Sequence, residues 1–185
     1  MAKDTLSRSL HDVGLAAWFG GTLANAVALN PASAQADTAN GTGRVANTGW
    51  NNWTPVNAAA IGAHLAGSVG ELVGNKSRLA GQRGVGTTAL AKTGLTAAAL
   101  AVTGYSRLLG RKVAEDTSVP ALAGTEPASS TPDDVSKAQK QLSALQWVVP
   151  ALTGALIIVS SLAGEQQRAS EVKKGFLARV TRSGR

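Results

Sequence analysis

The chain has 185 residues, 44% of them apolar and 4% aromatic, with a net charge of +7. It contains no cysteine and two histidines, His11 and His64. Disulfides, thiol nucleophiles and Cys-held metals are therefore excluded, and a zinc site, which uses three or four ligands, has little to draw on.

The positive charge fits two readings, nucleic-acid binding or a membrane protein whose cytoplasmic loops are basic. The placement of the charges favours the membrane.

Residues 13–29, VGLAAWFGGTLANAVAL, follow a start carrying Lys3 and Arg8 and end at Asn30-Pro31. Ala34-Gln35-Ala36 lies beyond. A cleaved signal peptide and a retained first transmembrane helix share this pattern, and the retained helix is the preferred reading. His11, Trp18, Thr22 and Asn25 fall at spacings of 7, 4 and 3 and share one face. A stripe this polar is expected to face a partner protein, with Trp18, Thr22 and Asn25 at the contact.

Residues 37–54 are rich in Gly, Asn and Thr and read as a loop, so the first outer loop is placed at 31–54. Trp50 and Trp53 within it are assigned to anchoring at the membrane surface, with an aromatic ligand platform as the alternative.

Pro55 opens a second helix over 55–74. Ala58, Gly62, Ala66, Gly70 and Gly74 recur at four-residue steps, a small-residue stripe that lets a neighbouring helix approach closely. Asn57, His64, Ser68 and Glu71 lie on another face. An ionisable residue inside a span is a functional candidate; hydrogen bonding that fixes helix register is the plainer reading. The following turn adds Lys76, Arg78 and Arg83 and marks a cytoplasmic side.

A third helix spans 86–108 and carries Lys92 near its cytoplasmic start. In an antiparallel hairpin Lys92 comes within reach of Glu71, and pairing offsets what an unpaired charge costs in lipid. Snorkelling to the headgroups is the alternative for Lys92. Thr88, Lys92, Thr96 and Thr103 share a side that should face protein.

Residues 109–143 are acidic and rich in Pro, Ser and Thr, an outer loop with little core of its own. Thr131 is placed as an N-cap, with the last helix starting near residue 133 and Asp133 and Asp134 in its first turn. Residues 144–164, ALQWVVPALTGALIIVSSLAG, are about 20 residues without charge, enough for a core of about 30 Å. A tail at 165–185 places Lys173, Lys174, Phe176 and Arg179 on a short basic amphipathic helix suited to an anionic leaflet. It contains no recognised nucleic-acid motif, and no nucleic-acid partner is expected.

The expected fold is all-α: a polytopic membrane protein with four transmembrane helices and a cytoplasmic amphipathic tail. The N-terminus, the 75–86 turn and the tail hold eleven Lys and Arg against six in the two outer loops, which puts both ends in the cytoplasm of a bacterial inner membrane.

His11, Trp18, Gly20, Gly21 and Pro31, as H-x6-W-x-G-G-x9-P in a first span, resemble the opening of copper-resistance D-like membrane families. The likeness covers one helix in four and brings no metal role to His11. The Ala/Gly-rich four-span pattern with a basic tail is similar to small actinobacterial membrane proteins. That likeness implies an accessory subunit of a larger lipid-transport or respiratory assembly.

No catalytic constellation is present: Gly84-x-Gly86 lacks the Gly-Lys-Ser/Thr of a phosphate loop, and there is no Ser elbow or H-E-x-x-H. The first expectation is therefore a non-catalytic accessory subunit, partnered by a larger integral membrane complex and by anionic lipid at the tail, without cofactors. The second is a small carrier whose polar path is lined by His64, Ser68, Glu71 and Lys92. The third, a haem or metal site on His11 and His64, meets the objection that the two should differ in depth by about 10 Å at 1.5 Å per residue.

Overall fold

The computed structural model describes residues 2–76, 84–115 and 119–165. Helix α1, Ala2–Ala24, passes through a π turn at Asn25–Leu29 into the short α2, Asn30–Ser33. The widened turn precedes Pro31, whose ring would meet the carbonyl of Val27 in a regular α-helix. Helix α3 is Ala39–Gly74, α4 is Val85–Ala114 and α5 is Asp133–Glu165. Between α4 and α5 a two-stranded antiparallel hairpin pairs β1, Ala121–Ala123, with β2, Glu126–Pro127.

Three segments are long and apolar enough to cross a membrane: Thr5–Ser33, Val85–Ala114 and Asp133–Glu165. The chain is thus all-α in its long elements, with four long helices among the described residues and three of membrane-spanning composition. Helix α3 is long enough, about 54 Å at 1.5 Å per residue, but its Asn-rich first half keeps it out of that set.

The loop expected over 31–54 is the largest difference from the sequence reading. From Ala39 it is helix, running without a break through Pro55. Thr38 caps its start, its hydroxyl accepting from Gly41 N at 3.0 Å. Gly and Asn are weak helix formers; here tertiary contact overrides propensity. Gly43 lies directly under the Val119 carbonyl, and Gly49 under the Leu29 side chain. Any Cβ at either position would collide. Trp50 and Trp53 consequently face inward rather than anchoring at an interface: Trp50 Nε1 donates to Asn30 Oδ1 at 2.9 Å, and the Trp53 ring fills the space above Gly21.

The start of α5 also differs in detail. Asp133 and Asp134 occupy the first turn, but Thr131 does not cap it. Its hydroxyl donates to the Pro120 carbonyl and accepts from Ala128 N, closing the hairpin instead.

Two helical hairpins make up the bundle. Helix α1 packs along α3, α4 packs along α5, and α1 also touches α5. Helices α3 and α4 meet over only a short stretch, leaving a seam between the hairpins. The core lies where the four helices converge: Trp18, Ala99 and Val149 are buried, flanked by Ile61, Leu100, Val102 and Leu152.

The α1–α3 contact is built on glycine. A Cβ at Gly14 would strike the Ala60 carbonyl and His64 N, and one at Gly67 would strike His11 N. The expected stripe does not serve this contact. Ala58, Gly62, Ala66 and Gly74 are exposed, and a Cβ on Gly62 would meet nothing within 4 Å. Only Gly70 of that set packs inward, against Ser7. The buried face is Ala60, His64 and Gly67.

Candidate functional site

The polar residues of the four helices gather at three levels beside the α3–α4 seam. The deepest is an imidazole stack. His11 and His64 are both 0% exposed, and their ring centroids are 4.6 Å apart at an interplanar angle of 50°. Trp18, also 0% exposed, lies 6.1 Å from His64. One His64 nitrogen, Nδ1, is 3.4 Å from the His11 carbonyl, and the other, Nε2, is 3.3 Å from Thr96 Oγ1 of α4. Trp18 Nε1 donates to Thr103 Oγ1 at 3.3 Å. These threonines tie the α1–α3 hairpin to α4 across an apolar core, where an unsatisfied polar group is costly.

The expected depth difference between the histidines is overturned. His11 sits nine residues from the start of α1 and His64 ten from the end of α3, so antiparallel packing brings them level. Joint axial ligation of a haem iron is disfavoured on different grounds. Metal–nitrogen distances of about 2 Å would hold two opposed imidazole centroids about 6 Å apart, wider than the stack observed. Among the described residues no group of three or more His, Asp or Glu gathers as metal ligands.

The stripe expected to face a partner is likewise turned inward. Trp18, Thr22 and Asn25 are buried within the chain. Thr22 Oγ1 donates to the Trp18 carbonyl at 2.7 Å and Asn25 Nδ2 to the Gly21 carbonyl at 2.9 Å, so α1 itself satisfies two of the three.

Nearer the end of α3 and the start of α4, Lys92 Nζ lies 3.0 Å from Glu71 Oε2, joining α4 to α3. Their side chains are 18% and 22% exposed, so the pair is largely withdrawn from solvent. It stands in a groove of about 400 Å³, also lined by Ser68 and Thr96. Ser68 Oγ donates to the His64 carbonyl at 2.8 Å. Of the four residues expected to line one polar path, Ser68, Glu71 and Lys92 line the groove, while His64 lies behind them in the core.

At the opposite end of the seam is a second cavity of about 330 Å³, between α3, α4 and α5. Leu100 lines both voids and separates them. Above it stands a residue that sequence reasoning used only as a helix terminator. Asn30, 3% exposed, donates through Nδ2 to Gln146 Oε1 at 2.7 Å and accepts from Trp50 at 2.9 Å. Its carbonyl accepts from Gly124 N at 3.1 Å. One residue, through its side-chain amide and its main-chain carbonyl, thereby joins α2, α3, α5 and the β hairpin. The available signal was an asparagine closing an apolar run, where a buried polar side chain requires partners.

The tail residues Lys173, Lys174, Phe176 and Arg179 lie outside the described residues. No family model, curated protein or solved structure matches this chain.

Proposed function

We propose that this chain is a non-catalytic accessory subunit of a larger membrane assembly, docking through the outward face of α3. The observation that carries the reading is the mismatch between that helix and its surroundings. Helix α3 packs along α1, a helix of membrane-spanning composition, and on this reading lies at the same depth. This reading has four crossings, with both ends on the cytoplasmic side by charge count. Yet α3 falls short of a span's hydropathy, and the side that α1 leaves uncovered mixes apolar with small and polar residues. It presents Asn52, Gly62 and Ala66 among Val56, Val69 and Val73, all exposed. Small residues on an open helix face permit close approach by another helix, and exposed amides gain partners from protein that acyl chains do not offer.

The test is purification of the full chain from its native membranes in a mild detergent, alongside Gly62→Leu and Ala66→Leu. The proposal expects a discrete co-purifying polypeptide that both variants lose while the chain itself remains folded. A stable solitary monomer, or retention of the partner by both variants, would refute it.

A second reading, a small carrier, is favoured by one specific observation: the Glu71–Lys92 pair stands in a groove that Leu100 separates from the opposite cavity. In proteoliposomes this reading expects Glu71→Gln to abolish an ion or proton leak carried by the wild type. No leak in the wild type, or an unchanged one in the variant, dismisses it.

A further inference from the structure

The cavity on the Trp50 side of Leu100 is built along the helices. It is lined from Asn47 to Ile61 on α3 and from Leu100 to Ala114 on α4. Fourteen residue steps on each helix make it about 20 Å long at 1.5 Å per residue. A volume of about 330 Å³ spread over that length describes a narrow slot. Helices α3 and α4 form its sides, and α5, with Thr22 of α1, its back.

Its polarity is graded. The deep end is Ile61, Leu100 and Val149, continuous with the apolar core around Trp18. Two turns further out on α4 are Ser106 and Arg107, opposite Asn51 and Trp53 of α3. The guanidinium reaches Asn51 Oδ1 at 3.4 Å, a long contact, and among the described residues no carboxylate lies within ion-pair distance of it. A guanidinium without a carboxylate, set on the wall of a largely apolar cavity, points to an anionic occupant.

We infer that the slot between α3 and α4 binds a single-chain anionic amphiphile of the long-chain carboxylate class. Its head group meets Arg107, and its chain lies along Ile61, Leu100 and Val149. A guanidinium pairs well with a carboxylate. The chain covers apolar wall at roughly 25 cal/mol per Å². This proposal does not depend on the accessory-subunit reading, since the slot belongs to one chain.

Two glycines make the test clean. Gly104 and Gly110 line the slot, and a Cβ at either would meet nothing within 4 Å. Leucine at either position adds bulk at the edge of the slot, where its Cβ meets open space. The experiment is scintillation-proximity binding of tritiated palmitate to the full chain in a maltoside detergent, with hexadecanol as the neutral competitor and thermal stability as the folding control. Saturable uptake of about one palmitate per chain is expected. Gly104→Leu should abolish it at unchanged stability, and Gly110→Leu serves if the first variant misfolds. Arg107→Gln should weaken binding about tenfold, the scale of one charge-assisted contact, and hexadecanol should compete about tenfold more weakly than palmitate. Uptake that does not saturate, or that survives both leucine variants, overturns the site. Equal affinity in Arg107→Gln, or equal competition by the alcohol, overturns the assignment of an anionic head.

Discussion

The Glu71–Lys92 pair is the sharpest place to perturb the bundle, because it joins α3 to α4 where those helices otherwise meet little. Removing one partner of a fully buried pair costs about 3–5 kcal/mol, whereas a solvent-exposed pair is worth about 0–1 kcal/mol. At about one-fifth exposure this pair falls between, nearer the buried limit. Glu71→Leu, which strands the Lys92 ammonium, should therefore cost about 2–3 kcal/mol, and so should Lys92→Met. The double variant leaves no orphan charge and should recover to within about 1 kcal/mol of wild type. The resulting coupling energy is about 3–5 kcal/mol, at or above the top of the range for residues in direct contact. Reversible unfolding by SDS in mixed micelles, run as a double-mutant cycle, measures it. Additivity within about 0.5 kcal/mol would refute the reasoning. A neutral Lys92→Met would mean that the ammonium reaches headgroups and needs no carboxylate.

Three further outcomes follow from the packing. Gly14→Leu drives a side chain into the Ala60 carbonyl and His64 backbone and should lose about 3 kcal/mol or more in the same assay. Gly62→Leu meets open space and should leave the unfolding midpoint of the isolated chain unchanged or slightly raised. Asn30→Ala strands Trp50 Nε1 and Gln146 Oε1. At about 0.6 kcal/mol per bond in membrane bundles and about 1–3 kcal/mol per stranded group elsewhere, it should destabilise by about 1–4 kcal/mol. Loss of the Trp50 hydrogen bond should also change the near-ultraviolet circular dichroism.

The parts of this fold that the sequence made legible are those where one physical signal dominates. The apolar windows of α1, α4 and α5 stand out because each supplies a span's worth of uncharged or nearly uncharged residues. The start of α5 at Asp133 was legible from the two acids of its first turn, although Thr131, expected as its cap, closes the hairpin instead. The proximity of Glu71 to Lys92 followed from hairpin geometry alone. The helix over Ala39–Thr54 was hidden because its Gly and Asn residues oppose helix formation locally, and only Val119, Leu29 and Gly21, distant in sequence, make room for it. The packing face of α3 was hidden for a different reason. Ala and Gly populate every side of that helix, so a four-residue stripe exists in more than one register. The choice of Ala60, His64 and Gly67 over Ala58, Gly62 and Ala66 depends on how His11 and Gly14 interlock with them. Trp18, Thr22 and Asn25 looked like a contact for another subunit because polar side chains in a span need partners. Local carbonyls of α1 and Thr103 of α4 supply those partners instead.

Whether another polypeptide covers the outward face of α3 is open to direct measurement, because a chain without native cysteine accepts single cysteines cleanly. A photoactivatable crosslinker would be attached at Gly62→Cys and, as a control, at Ile158→Cys on the exposed face of α5. Both would then be irradiated in native membranes. Docking through α3 predicts a discrete protein adduct of higher mass from position 62 and only lipid adducts from position 158. Lipid adducts alone at position 62 would contradict it.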